Sequence, residues 1–455
     1  MAKKKKSRQT DLARHKIEET QRRNEYFKRM KVICDMIHPD LFPMLEPIQR
    51  LALYEMRGLP FRVVADGKVS GELLDNINRY ANMVQREVKV PLCVAGEYSI
   101  SLLEYLRYVS PLEWLLDPDA SYEREVRVNL DRIKGVPWYE SFFKDWDRRY
   151  DIYYDLVTKL LSSISCFASD LRYYVYYTYF ESEIGNGGGR GFDMKQHQRI
   201  HVQPHRVERK RIKLRNGETR NALRLTVALP SNALGDPAPE RQRFLFLSIA
   251  PATIGVECPQ SSRRRPIYIS EHALNRLDER TGCASSGYMQ MFLSQSLAKG
   301  PARKMTDERL LLDFEAFDQK IGYLVVSIQH NSILIHTFLF LTANGTPEGK
   351  KLRELLGLQK ADHQYLGIDK LSTFIHSDIL QHGDVCEWFR KAGCESLLKI
   401  CERLKNDEFW QQDGEQIQLA ERMKEYLKTG EPADAWDFPE EEESEEENDG
   451  LMVND

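Results

Sequence analysis

Residues 266–280 read PIYISEHALNRLDER. Ile267, Tyr268 and Ile269 suit a short strand. At Ser270 the pattern changes. Ser270 is a good N-cap, Glu271 complements the helix N-terminus, and Leu274 and Leu277 recur at helical spacing. Gly282 follows as a stop. A strand that runs into a capped helix predicts a small α+β unit, and the flanking sequence extends it. A second helix is expected over Tyr288–Ala298, ended by Gly300-Pro301. Strands are expected at Arg309–Phe314, Ile321–Gln329 and Ser332–Thr342, with His330-Asn331 as the tight turn. Thr346 then caps a closing helix with Pro347 at its first position. Together these elements make a compact unit at 261–357.

Outward from this unit the pattern changes on both sides. Upstream, residues 193–260 are β-rich. Ile200 and Val202, Ile212 and Leu214, and Leu223 through Leu229 alternate with polar residues, and Asn216-Gly217 signals a hairpin. Residues 185–192 hold Gly185-Asn-Gly-Gly-Gly-Arg-Gly191, a linker that lacks the Lys-Ser/Thr ending of a phosphate loop. Residues 32–184 read as helix, most strongly Asp151–Phe180, where Val157, Leu160, Leu161, Ile164 and Leu171 keep helical spacing. Within it Tyr173, Tyr174, Tyr176, Tyr177 and Tyr179 crowd together; tyrosines can stack on bases, but on a helix these must face several directions, which favours packing in core and grooves. Downstream, residues 358–429 return to helix. The chain is thus expected to be a multidomain α+β protein. It has a helical N-terminal region, a β-rich middle, a small α+β domain with an antiparallel sheet, a helical C-terminal region and an acidic tail.

Charge is unevenly divided over the 455 residues. Residues 1–31 carry twelve Lys/Arg against four acids, and residues 430–455 carry twelve acids and no Lys/Arg. The acidic segment cannot bury itself and is expected to be disordered. Residues 195–224 hold ten Lys/Arg against two acids, with Arg206, Arg209, Lys210, Arg211, Lys213 and Arg215 in close succession. Such a cluster suits a polyphosphate partner, because each neutralised phosphate releases counterions.

The 271–280 helix offers a second candidate. His272, Arg276 and Arg280 lie four apart, and four residues advance a helix by about 400°, so the three line one face. An imidazole can move a proton near neutral pH, and a guanidinium can hold two phosphate oxygens. On the last strand His336 and Thr337 point to opposite faces, so one or the other joins such a site. Tyr323 on the neighbouring strand is a third possibility. His197, His201 and His205 are also four apart, but the last two sit in strand-like sequence with Pro204 between, which argues against a metal face.

The segment SEHALNRLDER at 270–280, the order helix, helix, three antiparallel strands, and Ile335-His-Thr-Phe338 resemble the small metal-independent ribonuclease domains of the RelE/colicin/barnase type. The resemblance covers about 90 residues. It implies RNA cleavage without a cofactor or metal, by attack of the 2′-hydroxyl on the adjacent phosphorus, with cationic groups stabilising the transition state. His272 is then the general acid or base, and Arg276 and Arg280 hold the phosphate. Family toxins are small or end with the nuclease, whereas this chain continues for about 100 residues. A non-catalytic nucleic-acid-binding protein and an assembly protein remain as alternatives. The expected partner is nucleic acid, RNA rather than DNA, with a protein partner possible through the helical C-terminal region.

Other classes fall away. Thr281–Ala298 is rich in Ser, Gly and Gln, and 321–347 is split by Gln329-His-Asn331, so neither suits a membrane span. No apolar segment follows the basic N-terminus as in a secretory signal. Eight cysteines without a CxxC pair read as reduced thiols in a cytoplasmic protein.

Overall fold

A computed structural model describes residues 2–92, 98–117, 135–184, 196–214, 216–229, 242–258, 260–282, 286–305, 309–329, 331–404 and 417–429. The chain is a mixed α+β protein, helical toward both ends and β-rich in the middle. It packs as two compact units. The first is Met1–Glu271 with Ala284–Ala298 and Ile328–Leu334; the second is His272–Cys283, Lys299–Ser327 and Ile335–Asp455. The Gly-rich linker at 185–192, Arg215 and the acidic segment 430–455 lie outside the described residues.

The first unit is built on helices. Ala2–Ile37 is a single helix, and Tyr26, Met30, Ile33 and Cys34 bury one stripe of it at three- and four-residue spacing. That half therefore packs. Ser70 caps Gly71–Glu87 by accepting from the Leu73 amide. Among its described residues the helical region also contains four strands: β1 (Arg62–Ala65), β2 (Lys89–Pro91), β3 (Ser99–Ser101) and β4 (Tyr174–Ile184). The 32–184 region is thus not purely helical. The helix predicted to run to Phe180 covers Trp146–Ala168 and stops there. The Val, Thr, Tyr and Phe of 174–180 favour a pleated surface, and β4 finds a long antiparallel partner in β5 (Gln196–Arg206).

β1 pairs parallel to β5, giving the order β1-β5-β4. Alternation sorts this sheet. Ile200, Val202, Tyr176, Thr178 and Phe180 share one face and are buried, and the Thr178 hydroxyl donates to the Leu161 carbonyl of the 146–168 helix. The opposite face carries His201, Gln203, Tyr177, Tyr179 and Glu181.

The deepest polar contact lies among the helices. Arg149 and Glu113 are both almost wholly buried and pair at 2.6 Å. The guanidinium also donates to the Leu92 and Phe142 carbonyls, and Tyr105 donates to the second carboxylate oxygen. Every charge is therefore matched, as burial requires.

A second sheet of this unit holds β6 (Arg209–Lys213) and β7 (Thr219–Arg224), the predicted hairpin, with Gly217 at φ +92° in its turn. Strands β8 (Thr226–Ala228) and β9 (Phe244–Phe246) pair with each other. β10 (Ser248–Ile249) and β7 both pair with β11 (Arg265–Ser270).

β11 runs into the predicted helix, Glu271–Thr281, with Gly282 at φ +59° after it. The next helix, Ser286–Ala298, packs on the 146–168 helix so closely that a Cβ on Gly287 would stand 1.7 Å from the Cys166 carbonyl oxygen. Residues 261–357 are consequently divided between the two units. β11 follows its partner β7, and the 286–298 helix follows its own.

The second unit contains β12 (Arg303–Lys304), β13 (Leu310–Ala316), β14 (Gln319–Ile328) and most of β15 (Ile333–Phe340). These strands are antiparallel neighbours in that order. Phe317 and Asp318 both take positive φ in the β13–β14 turn, the conformation a two-residue hairpin turn demands. Thr346 caps Pro347–Leu356 as predicted, accepting from the Gly349 amide at 2.9 Å. Helices from 360 to 429 complete the unit, with Phe374, Phe389, Leu397 and Ile400 in its core.

Candidate nucleic-acid interface

Strand β6 reads Arg-Lys-Arg-Ile-Lys. Its one apolar residue, Ile212, is buried with Ala222, Tyr268 and Leu334, and this contact seats the strand. The other four are cationic and exposed. Arg209, Arg211 and Lys213 share one face, and Lys210 lies on the other beside Ile212. β7 is the only neighbour of β6 among the described residues, so β6 is a sheet edge. Arg206, at the end of β5, is exposed as well.

The surroundings of these cations differ. The Arg209 guanidinium pairs with Glu271 at 3.0 Å, donates to the Arg172 carbonyl, and lies 5.7 Å from the Tyr173 ring centre. Lys210 Nζ stands 5.5 Å from the Tyr268 ring. Among the described residues Arg206, Lys210, Arg211 and Lys213 form no ion pair with a carboxylate. Glu208, the acid in this stretch, is within 3.7 Å of Arg224.

The helical stripe is placed otherwise. His272 is exposed. Arg276 pairs with Glu279 on its own helix at 3.0 Å. Arg280 is largely buried in an ion pair with Asp369, itself buried. On β15, His336 Nε2 lies 2.6 Å from the Ser327 hydroxyl, and Thr337 is half-buried. The two arginines read as phosphate ligands are thus engaged by carboxylates of the protein.

Tyr323 belongs to a separate network. Its hydroxyl donates to Glu348 at 2.9 Å, and Lys320 Nζ donates to both at 2.8 Å. Burial pushes the Tyr323 hydroxyl above its ordinary pKa, and the Glu348 carboxylate adds to the shift. Burial opposes the Lys320 charge, but its bonds to Glu348 and Tyr323 outweigh that and raise it. The group fastens β14 to the 347–356 helix.

On the His201 face of β4 and β5, His201 Nδ1 lies 3.1 Å from Asp66 and Nε2 lies 3.0 Å from Glu181. Tyr179 stacks on the imidazole at 4.6 Å and donates to the second oxygen of Asp66 at 2.6 Å. The contact to His201 holds the Glu181 carboxyl below its ordinary pKa, helped by Arg199. Neither carboxylate partner is predictable from the spacing of the histidines, because Asp66 is 135 residues away in the chain. Among the described residues no group of three or more His, Cys, Asp or Glu side chains is arranged to hold a metal. The six described cysteines are in no disulfide; burial pushes Cys34, Cys394 and Cys401 up to about 12, which leaves them poor nucleophiles.

The tyrosine run, taken as helical packing from the sequence, is sorted by strand alternation. Tyr176 and Tyr177 are buried, while Tyr173 and Tyr174 are exposed by 56% and 38%.

No family model, curated protein or solved structure matches the chain. No helix among the described residues is long and apolar enough to cross a membrane.

Proposed function

We propose that this chain binds nucleic acid through the basic edge strand β6 and the adjoining Arg206. One observation carries the reading. Four of the five residues of β6 are cationic, exposed and on a sheet edge. Charge on an edge strand also deters edge-to-edge pairing. A few lysines suffice for that, however, and here the cations continue into β5 with few acids near them. Phosphate contacts of this kind position a nucleic acid without reading its sequence.

Binding is favoured over cleavage for this protein. Arg280 of the helical stripe is buried against Asp369 and the less exposed Arg276 is paired with Glu279, whereas all four cations of β6 are exposed and, among the described residues, only Arg209 is paired with a carboxylate, Glu271. The test is electrophoretic mobility of RNA and DNA with wild type and a Lys210→Ala/Arg211→Ala/Lys213→Ala variant. Wild type is expected to shift the probe, and the variant to bind at least tenfold more weakly. Equal binding by the two overturns the assignment to β6.

A further inference from the structure

The exposed tyrosines bear on which nucleic acid this edge takes. Tyr174 pairs in register with Arg206 across β4 and β5. Tyr173 accepts the Val207 amide at its carbonyl, 3.0 Å away, at the corner where β5 turns into β6. The Arg209 guanidinium stands beside the Tyr173 ring. Two aromatic side chains and two arginines therefore share the corner from which the cationic strand departs. Along that strand Arg209, Arg211 and Lys213 repeat every two residues, about 6.8 Å, which is comparable to the phosphate repeat of an extended single strand.

Aromatic rings and cations answer to different parts of a nucleic acid. A duplex presents phosphates and groove edges, but its base faces are covered by their own stacking. An unpaired strand presents both phosphates and base faces. Stacking of a base on an aromatic side chain tolerates any sequence, because every base has a π-face. Tyr176, Tyr177 and Tyr179 cannot take this role, because the first two are buried and the third is held against His201 and Asp66. Tyr173 and Tyr174 are exposed, Tyr173 beside the Arg209 guanidinium and Tyr174 with its ring centre 6.2 Å from that of Tyr176. The Arg209–Glu271 pair does not block the site, since both side chains are about half exposed and a solvent-exposed ion pair contributes little in water. A phosphate can replace the carboxylate.

We infer that the ligand of this surface is single-stranded nucleic acid, with bases stacked on Tyr173 and Tyr174 and the backbone following the cations of β6. The inference rests on the nucleic-acid reading above and specifies strandedness.

The experiment is fluorescence anisotropy with the full chain and a labelled mixed-sequence oligonucleotide of about 16 nucleotides, the upper end of single-strand site sizes. The probes are single-stranded RNA, single-stranded DNA of the same sequence, and the DNA duplex. Wild type should bind at least one single strand more tightly than the duplex. Tyr173→Ala/Tyr174→Ala should lose about tenfold or more on that strand and little on the duplex, and Tyr173→Phe/Tyr174→Phe should restore binding. Both rings are exposed, so circular dichroism should show all variants folded. Tighter binding to duplex, or a double alanine variant that binds single strands as wild type does, overturns the single-strand inference while leaving the nucleic-acid reading in place. Absence of binding to all three probes at low salt overturns both.

Discussion

The arginines of the 271–281 helix and those of β6 are the same residue type in two settings. Arg276 and Arg280 lie on one helical face at a spacing that suits a phosphate, yet each is engaged by a carboxylate of the protein. The cations of β6 crowd an edge strand, where Arg209 meets Glu271 and the other three pair with no carboxylate among the described residues. Their difference teaches that a cation's availability is decided by what stands opposite it: Glu279, three positions from Arg276, is legible as a partner in the sequence, whereas the partner of Arg280 is supplied by the tertiary structure. Asp369 is 89 positions from Arg280 in the chain, beyond the reach of any motif.

The contrast between inward and outward cations can be broken at several points. Arg149 is the extreme inward case. Arg149→Ala leaves Glu113 buried without its countercharge and should cost about 3–5 kcal/mol, read as a large fall in Tm or in the urea midpoint. A loss below about 1 kcal/mol would mean that the pair is not closed from water. Arg280→Ala should follow with a smaller loss, about 2–3 kcal/mol for a pair less completely buried, and nucleic-acid affinity should change less than twofold. A tenfold loss of affinity in a folded Arg280 variant would return the helical stripe to the binding surface.

The smallest effect is expected at His201. Glu181 has a folded pKa below its ordinary 4.5, chiefly through His201. A depressed carboxylate stabilises the fold above the unfolded pKa, and that stability is lost as pH falls through the folded value. The carboxylate is more than a third exposed, so the contribution should be about 1 kcal/mol or less. Wild type should exceed Glu181→Gln in Tm near neutral pH, and the gap should close as pH falls below 4.5. A gap that persists in acid would show that the contact is not electrostatic.

Much of the fold was legible because its signals are local. Ser270, Gly282, Thr346 and Pro347 mark helix ends within a few residues, and the β6–β7 hairpin announces itself through Asn216-Gly217 and alternation on both sides. The tyrosine run was not legible. Its apolar spacing continues that of the 146–168 helix, and only the pairing with β5, some twenty to thirty residues downstream, makes it a strand. That change of element also sets apart the exposed Tyr173 and Tyr174 from the buried pair that follows. The basic cluster was visible as composition. Its exposure depended on Ile212 being the one buried residue of β6. The grouping of 261–357 depended likewise on partners outside it, β7 and the 146–168 helix.

The central claim is that β6, and not the 271–281 helix, carries the phosphate contacts. A salt titration of oligonucleotide affinity tests it most directly, with wild type, Lys210→Ala/Arg211→Ala/Lys213→Ala and Arg276→Ala side by side. Log affinity falls linearly with log salt, by about 0.7 per phosphate contact on a single strand. The β6 variant should therefore have a slope shallower by about 2, and the Arg276 variant should match wild type. An unchanged slope for the β6 variant, or a shallower one for Arg276→Ala, would contradict the account.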